Sequence, residues 1–114
     1  MFRTTRYTLA LIIFLGCGKA SAGAYYTGQQ LYDWCGGPEQ VQRCIGYVMG
    51  ATDTWLMLDS TKADPTLCMD GFGEGDLVMA VLQVGKESPE DLEYGAAGLV
   101  LTALKSYFSC DWPE

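Results

Sequence analysis

The side chains able to do chemistry in this 114-residue chain are five cysteines and 14 carboxylates, with no histidine beside them. A nucleophilic cysteine needs a base to raise its thiolate, and a zinc site usually draws on histidine or on paired Cys-x-x-Cys motifs. Neither is present. Cys17 belongs to the N-terminal apolar stretch, which leaves Cys35, Cys44, Cys68 and Cys110, an even number suited to two structural disulfides. Asp33, Asp53 and Asp59 have no spacing that would converge two carboxylates on one bond, so they read as solvated or capping groups. The glycine- and acid-rich run from Cys68 to Asp76 lacks the regular acidic alternation and closing glutamate of a calcium-binding EF-hand loop. The expectation is a protein that is not an enzyme and carries neither metal nor cofactor.

Binding is the chemistry left. Within the same run Asp70, Phe72, Glu74 and Asp76 read as a flexible exposed loop, one apolar ring surrounded by charge, the composition of a binding hot spot. The long-range charge agrees with a binding role. Arg3 and Arg6, the uncharged run from Tyr7 to Leu15, and the small residues Ala20–Ser21–Ala22 and Ala22–Gly23–Ala24 have the layout of a secretory signal peptide. The run is far short of the ~20 residues that a membrane span needs. Residues 1–22 are read as a leader cleaved after Ala22, or alternatively after Ala24, with the mature domain over 25–114. Phe14, three residues before Cys17, fits a lipoprotein site poorly, so lipidation ranks below simple cleavage. Without the leader, four bases (Arg43, Lys62, Lys86 and Lys105) face all 14 acids, a net charge of −10. Such a surface repels nucleic acid and anionic lipid and accelerates association with a cationic protein, and the same acidity equally serves to keep an exported protein soluble.

Helices must position these groups. Thr27 followed by Gln30 is a capping box, and Leu31, Trp34 and Cys35 share one face of a short helix ended by Gly36–Gly37. Val41, Cys44, Ile45, Val48, Thr52, Trp55 and Leu56 recur at three-and-four spacing and predict a second, central helix from about Pro38 to Asp59. Gly46 and Gly50 lie one turn apart within it. Glycine in a helix interior costs about 1 kcal/mol against alanine, so the pair suggests a backbone that a neighbour approaches closely. Leu77 to Val84 read as a short apolar helix broken at Gly85. Ser88–Pro89–Glu90–Asp91 has the residues of a helix start, and Leu92 to Phe108 hold helical spacing for four turns beyond it. The class is all-α: a small disulfide-stapled bundle of about four helices behind a cleaved leader.

Four cysteines allow three pairings. Cys35 ends the first helix and Cys44 opens the second across a tight Gly–Gly–Pro turn. Antiparallel packing of the last two helices returns Cys110 toward Cys68. The expected bonds are therefore Cys35–Cys44 and Cys68–Cys110, contributing about 2.7 and about 4 kcal/mol through loop closure.

The pattern Cys44–Ile45–Gly46–Tyr47–Val48-x-Gly50-x-x-Asp53, with Ser88–Pro89–Glu90 and the closing Ala103–Leu104-x-x-x-Phe108-x-Cys110, resembles the Rap/Tai family of immunity proteins. These protect bacteria against peptidoglycan amidase toxins delivered by type VI secretion. The resemblance covers nearly all of the mature chain, with Ser109 standing where the family tends to have proline. It implies a periplasmic, all-helical, often dimeric protein that binds a cognate amidase and blocks its catalytic cleft. Gly46, Tyr47, Gly50 and Asp53 would then be scaffold. The homodimer contact could use the glycine-lined face around Tyr47 and Gly50, or that face could be filled from within the monomer. The competing reading is a small periplasmic binding or acid-stress chaperone-like protein with no toxin partner. Protonation of many carboxylates would loosen such a fold and expose Trp34, Trp55 or Phe72.

Overall fold

Thr27 does what its spacing to Gln30 predicts. Its hydroxyl accepts from the Gln30 N–H at 3.1 Å, while the Gln30 side chain accepts from the Thr27 N–H at 3.0 Å. The capped helix, α1, spans Gly28–Gly36. The computed structural model describes residues 24–111. Residues 1–22 of the leader, the cleavage position after Ala22, Cys17 and the last three residues lie outside them. Three more α-helices follow: α2 over Val41–Ser60, α3 over Glu74–Glu87 and α4 over Ala96–Tyr107, with a 3-10 helix over Pro89–Glu93 between the last two. Among the described residues the only extended pairings are two single antiparallel bridges, Thr27 with Gly95 and Leu67 with Ser109. No described helix is long and apolar enough to cross a membrane.

The core forms where the apolar faces of the four helices meet. α4 is its most apolar member, with Ala96, Leu99, Val100, Ala103 and Leu104 all buried. α1 contributes Leu31, Trp34 and Cys35, α2 contributes Cys44 and Val48, and α3 contributes Leu77, Ala80, Val81 and Val84. Both expected disulfides are present, Cys35–Cys44 inside the core and Cys68–Cys110 at the surface.

Four details depart from the sequence reading. α2 starts at Val41 because Pro38–Gln40 form a turn. α3 starts at Glu74, where Glu74 and Asp76 sit in the first turn at the favourable end of the helix dipole, and it runs through Gly85 to Glu87. The Ser88–Pro89 signal starts only the 3-10 helix, and Ser88 makes no side-chain cap. The chain cannot continue as one helix because its backbone is used elsewhere. The Tyr94 carbonyl accepts from the Gly28 N–H at 2.7 Å, and the Ala96 N–H donates to the Tyr26 carbonyl at 2.9 Å. The break at Tyr94–Gly95 thus holds the start of α1 against the start of α4.

The fourth departure concerns close approach. A Cβ added to Gly46 or Gly50 would meet nothing within 4 Å, so no neighbour packs there. Contact is instead at Gly28, where a Cβ would lie 3.0 Å from the Leu92 Cα, and at Gly85, where it would strike the Tyr32 ring, 2.6 Å from Cε2. The helix crossings need glycine at α1 and α3, and α2 keeps an open glycine face.

Candidate functional site

Two surfaces can engage a partner. The first is the connection from α2 to α3, which the sequence reading treats as flexible and which the structure ties down at several points. The Cys68 N–H donates to the Phe108 carbonyl at 2.7 Å and the Cys110 N–H to the Thr66 carbonyl at 2.8 Å, on either side of the Cys68–Cys110 bond. Gly71 turns the chain with φ +88°, a left-handed conformation that glycine adopts without strain. The Phe72 ring then packs edge-on against Phe108, centroids 4.7 Å apart, while remaining 49% exposed. The Asp76 carboxylate accepts from the Gly73 N–H at 2.9 Å and so caps α3. Asp70, Phe72, Glu74 and Asp76 are all exposed, and the turn brings them into one short stretch.

Asp59 anchors the base of this connection, in a role that sequence reasoning missed. It is only 5% exposed, accepting from the Leu67 N–H at 3.0 Å and from the N–H and hydroxyl of Thr66, and it meets the Lys62 ammonium at 3.4 Å. The Leu67 N–H above all, then the two Thr66 donors and Lys62, outweigh the opposing effect of burial and hold its carboxyl at about 2. One signal was available. A carboxylate in the last turn of a helix faces the unfavourable end of the dipole, so Asp59 needed compensation from outside the helix.

The second surface is the open glycine face of α2. Gly46, Gly50, Ala51 and Thr54 floor a groove of about 440 Å³ walled by Tyr47, Trp55 and Ala97. Past Tyr47, Trp55 and Ala97 a second hollow of about 500 Å³ reaches Tyr25 and Gly98. Trp55 is fixed there by its indole N–H, which donates to the Ala97 carbonyl at 2.9 Å. Tyr47 packs edge-on with Tyr26 and Trp34, and the Arg43 guanidinium lies 4.8 Å from the Trp34 ring centroid. Burial raises the Tyr47 hydroxyl above its ordinary value, against the lowering effect of its Ala97 backbone hydrogen bond. Asp53 is exposed on α2, away from the groove lining. Of the four motif residues, Gly46, Tyr47 and Gly50 are thus brought together and Asp53 is not.

Neither surface assembles reactive groups. Among the described residues no three His, Cys, Asp or Glu side chains lie close enough together to hold a metal ion. All four described cysteines are in disulfides. The arrangement suits docking: a pinned acidic loop with one apolar ring, and an apolar groove with a small-residue floor.

A family model described as Rap1a immunity proteins matches residues 27–110, from the cap of α1 to the last cysteine. No curated protein and no solved structure matches the chain.

Proposed function

From the premise that the chain belongs to the Rap1a immunity protein family, we propose that it is exported to the periplasm and inhibits a peptidoglycan amidase toxin delivered by type VI secretion. Inhibition is by covering the catalytic cleft of the enzyme. The observation that carries this reading is the family match over the whole helical domain. The contact surface is the loop from Asp70 to Asp76. Its acids supply long-range attraction for a cationic partner, and Phe72 is a ring already held in place, so little side-chain entropy is lost on docking. The glycine-floored groove of α2 is left for a second copy of the chain. Both roles leave the core untouched.

The test has two steps. Pull-down from periplasm with the mature protein, read by mass spectrometry, is expected to recover a peptidoglycan amidase whose hydrolysis is stopped by stoichiometric mature protein. Replacing Phe72, Glu74 and Asp76 together by alanine is expected to weaken that binding at least about tenfold, or ~1.4 kcal/mol, in calorimetry. Absence of any such enzyme refutes the immunity reading. Unchanged affinity of the triple variant moves the contact off this loop.

A further inference from the structure

Besides the loop and the glycine groove there is a third concavity, between the C-terminal half of α2 and the last turns of α4. Its volume is about 230 Å³, its apolar walls include Leu58, Leu67 and Leu101, and its polar lining includes Lys62 and Lys105 together with Asp59. We propose that this hollow receives one acidic residue of the toxin partner together with the apolar residue beside it; the assignment rests on the toxin-binding reading above.

Charge is the first argument. The chain beyond the leader has four cations against 14 acids, and two of the four converge on this one hollow. Lys105 is exposed and has no ion pair among the described residues. Lys62 meets Asp59, but the Asp59 oxygens are already occupied by Thr66 and Leu67, and the ammonium keeps further donors. Two ammonium groups against one buried carboxylate make the hollow locally positive on a strongly acidic molecule. Size is the second argument. Cavities that enclose a whole small-molecule ligand usually run to roughly 300–1,000 Å³, so this one suits a single side chain and its neighbour.

Continuity is the third. Leu67 directly precedes Cys68, where the loop begins, Leu101 and Lys105 lie about one turn apart on α4, and Phe108 is the C-cap that follows it. Phe72 packs on that same Phe108. A partner seated on Phe72 therefore has the hollow within its footprint. The division of labour follows from range: many dispersed acids attract a basic partner without fixing its orientation, whereas one contact of opposite sign sets the register.

The sign of the effect separates this inference from general electrostatics. Removing lysines makes the protein more acidic, so steering alone predicts equal or faster association of K62Q/K105Q with a cationic toxin. The hollow predicts the reverse: affinity of K62Q/K105Q for the amidase that the wild type inhibits falls at least about tenfold, mostly through faster dissociation. K105Q alone, which leaves the Asp59 pair intact, falls at least about threefold, and K86Q is unchanged or slightly tighter. Thermal melts of each variant guard against misfolding. Wild-type binding with K105Q and K62Q/K105Q unaffected overturns this inference and leaves the immunity reading standing. Failure of the wild type to bind overturns both. Saturable binding of N-acetyl-L-leucine to the free protein, with toxin affinity unaltered in the variants, also overturns it by making the hollow a small-molecule site.

Discussion

At the scale of the residue, Asp59 shows how one buried carboxylate organises a segment that sequence alone leaves slack. Three donors from Thr66 and Leu67 hold it ionised, with its carboxyl at about 2 instead of 3.8. Because the folded value lies below the unfolded one, its contribution to stability is complete above about pH 4 and fades as the pH falls toward 2. Asp59→Asn is therefore expected to be destabilising at pH 7. The gap between variant and wild type should narrow steadily between pH 4 and pH 2. Urea unfolding of both proteins across that range measures it, and a gap independent of pH would remove the carboxylate from this role. The acid signal was legible only as an anomaly, an aspartate at the wrong end of a helix. Its partners lie seven and eight residues further on, with no periodicity to announce them.

At the scale of the element, glycine carries opposite meanings at different positions. Gly46 and Gly50 form the more conspicuous pair in the sequence, yet they face open space, and the positions where an added Cβ would crowd a neighbour are Gly28, Gly85 and Gly95. Gly85→Ala puts a methyl group into the Tyr32 ring and is expected to destabilise by about 1–3 kcal/mol. Gly46→Ala relieves a helix-interior glycine and should stabilise the monomer by about 0.5–1 kcal/mol. Denaturant midpoints distinguish the two, and equal shifts of the same sign would contradict the packing described. Helix spacing identifies which residues share a face. It does not identify which face a neighbour occupies, because that depends on crossing angles set by the whole bundle. The same limit explains the last helix, where a strong Ser–Pro start was overridden by backbone pairing between Tyr94–Ala96 and the start of α1.

At the scale of the whole molecule, two disulfides of unlike setting divide the fold into a core and a mounted loop. Cys35 and Cys44 are buried, 6% and 0% exposed, whereas Cys68 and Cys110 are exposed. Under mild reductant with trapping by alkylation, Cys68 and Cys110 are expected to be labelled at least about tenfold faster than Cys35 and Cys44, since exchange depends on access of the attacking thiolate. Helical circular dichroism should survive that first step, because α1 to α4 keep their shared core. Labelling of all four at one rate would mean that the loop opens only with global unfolding.

What the chain by itself determined was local: the capping box at Thr27, the apolar stripes, the helical class, and the disulfide partners, which follow from helix order and turn length. Residues 27–110 also carried the pattern by which the family is recognised. Tertiary structure alone decided which glycines are crowded, where the final helix breaks, that Asp59 is the anchor of the acidic loop, and that two distant lysines meet at one hollow. Those outcomes depend on contacts between residues far apart in sequence. Such contacts are set by how helices cross and which backbone groups find partners, and no repeat of 3.6 residues encodes them.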